Sequence, residues 1–147
     1  MTSHVFLYGS FYSEKLESIV GDIVGMQGAI LRNHQVHFRG SHKVFSGSSV
    51  ATVSPAEGRD VLGIMYELTD RQTDLLDVVM MHCKKRIVEV FDGTNMRAAN
   101  IYVLRDECGQ VRPTIAYQNS HEKLVREAYA LYRKQVDDPN RLLPLSP

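Results

Sequence analysis

The chain has 147 residues, of which 44% are hydrophobic; this composition excludes a disordered protein and favours one globular domain with its own core. Seventeen basic residues balance 17 acidic ones, which excludes an overall field that would attract nucleic acid or an anionic membrane. No apolar run approaches the roughly 20 residues that span a bilayer, and the first four residues lack a secretory signal pattern. We therefore expect a cytoplasmic protein in which Cys83 and Cys108 are free thiols.

The first predicted element is a short strand at residues 4–8, which stops at Gly9-Ser10. Its apolar residues lie on both faces, which is typical of a central, buried strand. A helix over residues 14–20 follows. Ser13 is its predicted N-cap, and Gly21 is its predicted left-handed stop.

The middle of the chain is predicted to be rich in strands. The pattern predicts a long strand at 29–38, a Gly/Ser-rich loop at 40–49, a short strand at 50–53, a turn at 56–60 and a strand at 61–68. Gly63 marks a place where the backbone bends or meets a neighbour closely. Thr69 and Gln72 have the spacing of a capping box, which begins a helix over residues 70–80.

The last third of the chain opens with a hairpin whose turn is Asp92-Gly93-Thr94-Asn95. Its strands are predicted at 86–91 and 98–104. Residues 114–117 are a candidate for a short last strand, and Asn119 with Glu122 predicts the start of a final helix over 120–134. Three of the five prolines lie in residues 137–147, which we interpret as a tail that follows a domain of residues 1–136.

Strands outnumber helices in this pattern, and the helices interrupt them singly. That arrangement indicates an α+β fold, with a mixed, strongly curved sheet or small barrel and about three short helices. We detect no internal repeat and no low-complexity linker, which also favours one domain.

The turn Tyr8-Gly9-Ser10 is the first candidate for a functional site. A sharp turn after a buried strand can leave several backbone amides facing open space, and such amides bind carboxylates or oxyanions. Gly9 allows close approach of a ligand, while Tyr8 and Ser10 each add a hydroxyl group. A simple turn has the same local pattern, so the turn alone does not identify a site.

The order of the motifs along the chain resembles the γ-glutamyl cyclotransferase-like family, which includes the small AIG2-like proteins. The resemblance runs from Val5 to about Val103 and extends faintly through the last helix. Its pieces are the Tyr8-Gly9-Ser10 turn, the strand that begins at Ala29, residues 51–55 with Gly58, the strand at 61–68, the Leu76-Asp77 pair, and the strands at 86–90 and 99–103.

The resemblance implies a substrate site at residues Tyr8, Gly9, Ser10 and Phe11, where Phe11 replaces the family's usual leucine. In the family, the backbone amides of this turn receive the α-carboxylate of a γ-glutamyl group. A glutamate three residues after the aspartate of the Leu-Asp pair takes a proton from the α-amine, which then attacks the γ-carbonyl. The products are 5-oxoproline and a released amine or amino acid.

The resemblance also places a methionine where that glutamate belongs. Counting from Leu76-Asp77 gives Met80, and Met81 follows where the family usually has glycine. A methionine cannot take a proton from an amine, so the orthodox acid/base residue is missing. Two further departures accompany it. The later tyrosine and arginine are represented only by residues 84–86, and the expected Ser-x-x-Tyr of the last helix has lysine as its fourth residue.

His82 is the first candidate for a substitute base, because an unperturbed histidine titrates near neutrality. The alternative is that His82 is a surface residue at the helix exit. Glu89 is expected to face solvent from its strand. His34, His37 and His42 do not predict a metal site, because strand residues three apart face opposite sides and no carboxylate or cysteine completes a set.

Two functions therefore stay open, and neither requires a cofactor or a metal. The first is a cyclotransferase-like protein without the catalytic glutamate, which keeps a pocket for a γ-glutamyl compound or another amino-acid-like anion, or serves as an interaction module. The second is an active enzyme that releases 5-oxoproline through a displaced base. A scaffold with a closed pocket is a third possibility, and no partner among nucleic acids or membranes is expected.

Overall fold

A computed structural model describes residues 1–41, 50–105, 107–110 and 112–136. The described residues form six strands: β1 (Thr2–Leu7), β2 (Gly25–Ser41), β3 (Val50–Thr69), β4 (Cys83–Phe91), β5 (Met96–Leu104) and β6 (Glu107–Gln110). The three helices of these residues are α1 (Ser13–Val20), α2 (Asp70–Val79) and α3 (Ile115–Gln135). The predicted loop at 40–49 falls mostly, and the predicted tail at 137–147 entirely, outside this description.

The strands form one mixed sheet that closes on itself. Its order is β3-β1-β5-β4-β2-β6, and β3 also pairs with β2, so that five strands make a small barrel and β6 extends β2. The strand β1 lies antiparallel to β3 and parallel to β5. These findings confirm the predicted α+β class with a small barrel and three helices.

The first strand is buried on both faces, as its sequence predicts. Phe6 and Tyr8 pack with apolar residues of β2, β3 and β5 in one core cluster. Val5 and Leu7 pack in a second cluster, to which the helices contribute residues such as Leu16. Because β1 is held from both sides, the turn that follows it begins from a rigid base.

The last helix is fixed against β2 by a close contact at Gly28. The side chain of Gln135 accepts a hydrogen bond from the Gly28 amide at 2.6 Å and donates one to the Gly28 carbonyl at 2.8 Å. It also donates to the Asp92 carbonyl at 2.8 Å, so one side chain ties α3 to β2 and to the β4–β5 turn. The helix backbone lies so near that a Cβ on Gly28 would meet the Ala128 carbonyl oxygen at 2.4 Å.

Several local predictions are confirmed. Thr69 and Gln72 form the predicted capping box of α2. At the β4–β5 turn, the Asp92 carboxylate accepts hydrogen bonds from the amides of Thr94 and Asn95, and Gly93 has a φ of 99°. The close approach expected at Gly63 is also present, since a Cβ there would lie 2.7 Å from the Leu7 carbonyl oxygen.

The predicted turn at residues 56–60 is wrong, because β3 runs through it as one strand from Val50 to Thr69. Arg32 pairs with Asp60 and His34 pairs with Pro55, so residues 56–59 bulge out opposite Asn33. The residue types that predicted a turn at 56–60 instead stabilise this bulge. Gly58 has a φ of 80° and donates its amide to the Asn33 side chain at 3.1 Å.

Two predicted helix starts are also wrong. Ser13 is the first residue of α1 rather than its cap, and the Glu127 carboxylate of α3 accepts hydrogen bonds from its amide and hydroxyl. Residues 114–117 are not a strand, and Asn119 does not begin the last helix. Thr114 caps α3 by accepting a hydrogen bond from the Tyr117 amide at 3.1 Å, which starts the helix at Ile115.

None of the three helices in the described part of the chain has the length and hydrophobicity of a transmembrane segment.

Candidate ligand pocket

A cavity of about 190 Å³ lies where β1 ends. Its wall combines the turn after β1, the exit of α2, Tyr102 of β5 and Tyr117 in the first turn of α3. The predicted site residues Tyr8, Gly9, Ser10, Phe11, Met80 and His82 all line this one cavity. The barrel therefore brings together two chain segments that are separated by about 70 residues in the sequence.

The carbonyl groups of the turn after β1 are held by hydrogen bonds from other parts of the fold. The Gly9 carbonyl accepts one from Nδ1 of His121 at 2.7 Å, and the Phe11 carbonyl accepts one from the Tyr66 hydroxyl at 2.8 Å. The Ser10 carbonyl accepts the Tyr12 amide at 3.2 Å. Within the described residues, the amides of Ser10 and Phe11 donate to no acceptor, and both residues line the cavity.

Gly9 allows Tyr117 to pack closely against the turn. The Tyr117 hydroxyl accepts a hydrogen bond from the Ala51 amide at 2.9 Å, which fixes the phenol ring beside the turn. A Cβ on Gly9 would lie 2.8 Å from that hydroxyl oxygen. The glycine therefore lets the aromatic wall of the cavity approach the backbone of the turn.

Lys15 supplies a positive charge at the same end of the cavity. Its ammonium group donates to the Ser10 hydroxyl at 3.2 Å and lies 5.2 Å from the centre of the Phe11 ring. Burial lowers the pKa of Lys15, because the charged form loses hydration. A bound anion would restore that lost stabilisation, so the side chain is suited to an anionic ligand.

The exit of α2 contributes another part of the wall. Met80 ends the helix, and a tight turn follows in which the Cys83 amide donates to the Met80 carbonyl at 2.9 Å. Burial lowers the pKa of the half-buried His82 imidazole, which is therefore neutral at pH 7. Burial also raises the pKa of the Cys83 thiol to about 11, which leaves it protonated and weakly nucleophilic.

Two buried phenols complete the wall. The Tyr8 hydroxyl donates to the Tyr102 carbonyl at 2.6 Å, and the Tyr102 hydroxyl donates to the Asp77 carboxylate at 2.5 Å. Burial is the main reason why the pKa of each phenol is raised, and for Tyr102 the bond to Asp77 adds to it. Both phenols are therefore neutral. Asp77 itself pairs with Lys85 at 3.1 Å and does not line the cavity.

The sequence did not point to Lys15, Tyr102 or Tyr117 as pocket residues. Tyr117 was missed because residues 114–117 were predicted to form a strand. Thr114, a residue type that favours the N-cap position, was the available signal that a helix starts there. The prediction that Glu89 faces solvent is confirmed. No group of three metal-binding side chains occurs within the described ranges; His42 lies outside them.

The lowered pKa of His82 predicts a loss of stability on the acid side. The unfolded chain binds a proton at His82 near pH 6.5, whereas the folded protein binds it only at lower pH, so the free energy of unfolding falls as the pH drops through this window. In urea titrations followed by circular dichroism, His82→Gln should lose less stability than the native chain between pH 7.5 and 5. His34→Gln, on β2 away from the cavity, should follow the native curve. Parallel curves for His82→Gln and the native chain would contradict this assignment.

The described residues form a small barrel with a pocket at the end of its first strand. The family model for γ-glutamyl cyclotransferase, AIG2-like proteins matches residues 5–131, and the chain belongs to that family. A search of curated protein sequences gave no match.

Solved structures support the same fold. One described as a γ-glutamyl cyclotransferase is 17% identical, covers 93% of this chain and 88% of its own, and has a TM-score of 0.77. A human protein described as uncharacterized is also 17% identical, with coverages of 91% and 84% and a TM-score of 0.79. A yeast γ-glutamyl cyclotransferase specific to glutathione is 12% identical, with coverages of 99% and 97% and a TM-score of 0.62. At these identities the likeness shows the fold.

Proposed function

We propose that this protein binds a small carboxylate ligand, either a γ-glutamyl compound or another amino-acid-like anion, in the cavity beside residues 8–11, and that it lacks the orthodox catalysis of its family. The observation that supports this most strongly is that the turn after β1 and Met80 line the same cavity. Met80, which the resemblance assigns to the family's acid/base position, therefore belongs to the pocket, and its side chain is a thioether.

Binding of an anion is supported by the donors at the turn. The amides of Ser10 and Phe11 have no acceptor among the described residues, and the Lys15 ammonium lies within 3.2 Å of the Ser10 hydroxyl. Charge-assisted hydrogen bonds from such donors to a carboxylate are stronger than neutral ones. No aspartate or glutamate of the described chain lines the cavity to repel that carboxylate.

The absence of orthodox catalysis follows from the chemistry of Met80. Ring closure to 5-oxoproline needs a neutral amine, and a base must take the proton from the ammonium form first. A thioether sulfur has no useful basicity near neutral pH. The cavity can hold the ligand in position, but the residue at the family's acid/base position cannot start the reaction.

The proposal is tested by calorimetric titration at pH 7 with 5-oxoproline, glutaramate (glutamine without its α-amino group) and γ-glutamyl-alanine. At least one should bind saturably with one site per chain. Lys15→Gln should weaken the binding of 5-oxoproline about tenfold or more, because a charge-assisted hydrogen bond contributes about 1.5–3 kcal/mol. Lys84→Gln, an exposed lysine on β4 outside the cavity, is the matched control and should bind as the native chain does. The proposal fails if none of the three compounds binds.

A second candidate function is an active cyclotransferase that uses His82 as its base. The observation that favours it is that His82 lines the same cavity, with a pKa lowered by burial so that its neutral form can accept a proton at pH 7. Release of 5-oxoproline from γ-glutamyl-alanine by the native chain, lost in His82→Gln and kept in His34→Gln, would establish this second function in place of the first.

A further inference from the structure

Among the described residues that line the cavity, one carries a positive charge and none carries a negative charge. Lys15 is the one Lys or Arg side chain of the described residues that lines it, and no carboxylate of those residues does. Asp77 lies outside the lining, where its carboxylate accepts a hydrogen bond from the Tyr102 hydroxyl and pairs with Lys85. The pocket is therefore built for negative charge and offers no ion-pair partner for positive charge.

A zwitterionic amino-acid ligand fits this cavity poorly. Its carboxylate can bind at the amides of Ser10 and Phe11 and at Lys15, but its ammonium would be buried without a counter-charge. Burying an unpaired ammonium costs several kcal/mol. The hydroxyl oxygens of Tyr8 and Tyr102 can accept a hydrogen bond from an ammonium, but both phenols are neutral and supply no counter-charge.

We infer that the ligand of this pocket is a small carboxylate that carries no ammonium group, and that Met80 is the residue that sets this preference. The inference rests on the proposed carboxylate pocket and narrows it to one chemical class. A methionine at this wall provides apolar contact to a ligand whose nitrogen is absent, acylated or part of a lactam. A carboxylate there would instead pair with an ammonium.

The matched ligands glutaramate and L-glutamine test the inference, since they differ only in the α-amino group. In calorimetric titrations of the native chain at pH 7, glutaramate should bind at least tenfold more tightly than glutamine. The lactam 5-oxoproline, which forms from glutamine when the amine nitrogen bonds to the carbonyl carbon of the side-chain amide and ammonia leaves, should follow glutaramate. Cation–π contacts to the phenol rings could hold an ammonium; equal affinities for glutaramate and glutamine would therefore overturn the inference.

A pair of adjacent substitutions tests the part assigned to Met80. Met80→Glu should reverse the order, so that glutamine binds at least tenfold more tightly than glutaramate. Met81→Glu adds the same charge one residue later, on a side chain that is 75% exposed and outside the cavity, and should leave the native order unchanged. An unchanged order in a folded Met80→Glu protein would overturn the assignment to Met80. If glutaramate, 5-oxoproline and glutamine all fail to bind, the proposed carboxylate pocket itself is overturned. Failure of the pocket is thereby distinguished from failure of the ligand preference, in which the compounds bind but in a different order.

Discussion

Met80→Glu should release 5-oxoproline from γ-glutamyl-alanine at least about 100-fold faster than the native chain, because a positioned general base typically contributes 10²–10⁴-fold. The introduced carboxylate takes a proton from the ligand's ammonium, and the amine nitrogen then attacks the γ-carbonyl carbon. The bond from that carbon to the departing alanine nitrogen breaks, and the proton goes to the leaving amine. Ring closure is intramolecular, so a ligand held at the turn needs no second reactant.

The release of 5-oxoproline is measured by chromatography with the native chain, Met80→Glu and Met81→Glu. Met81→Glu controls for the added negative charge near the exit of α2, since Met81 does not line the cavity. Equal release by both variants would show that charge alone is responsible. No gain in a folded Met80→Glu protein that binds γ-glutamyl-alanine would contradict the assignment of Met80 to the acid/base position.

Gly28→Ala should lower the free energy of unfolding by about 3 kcal/mol, because the new methyl group overlaps the backbone of α3. Its carbon would lie 2.4 Å from the Ala128 carbonyl oxygen and 2.6 Å from the Tyr132 amide nitrogen. Backbone atoms cannot move aside as a flexible side chain can, so α3 must shift away from β2. For a domain of this size the melting temperature should fall by about 10 °C.

Gly25→Ala is the matched control for Gly28→Ala, three residues earlier on the same strand. Its methyl group would meet only the Glu67 side chain, at 3.5 Å or more, which is an ordinary contact. We expect a change within about 0.5 kcal/mol, or a slight stabilisation. Thermal unfolding followed by circular dichroism suits a chain without tryptophan. Equal melting temperatures for the two variants would contradict the close packing of α3 on Gly28.

The features that the sequence predicted well depend on short-range chemistry. The capping box at Thr69 and Gln72 and the turn at Asp92 are formed by neighbouring residues, so their residue types are sufficient signals. The buried character of β1 followed from apolar residues on both faces. The barrel could be predicted only as a class, because strand order and closure depend on the pairing of β3 with β2.

The errors have tertiary causes. The N-terminus of α1 is capped by Glu127, which is 114 residues away from Ser13 in the sequence. The β-branched and aromatic residues at 114–117 favour a strand, but the Thr114 cap and the packing of α3 on the barrel place them at a helix start instead. The composition of residues 56–60 is that of a turn. Continued pairing of β3 with β2 on either side turns it into a bulge.

The residues that line the candidate pocket differ in how clearly the sequence indicates them. The turn at residues 8–11 could be proposed from sequence because a strand followed by Gly-Ser is a local pattern. Met80 was reached by counting within a resemblance, and Tyr102 and Tyr117 join the cavity only through the closed sheet and α3. Lys15 was missed because a lysine in the first turn of a helix has no distinctive pattern.

The most direct test of the proposed pocket is an amide chemical-shift titration of the isotopically labelled native chain with 5-oxoproline at pH 7. We predict saturable shifts that are largest at the amides of Ser10 and Phe11 and extend to His82 and Cys83 across the cavity. Saturable shifts centred on the separate open groove beside His37 and Arg112, or no saturable shift at Ser10 and Phe11, would contradict a carboxylate site at the end of β1.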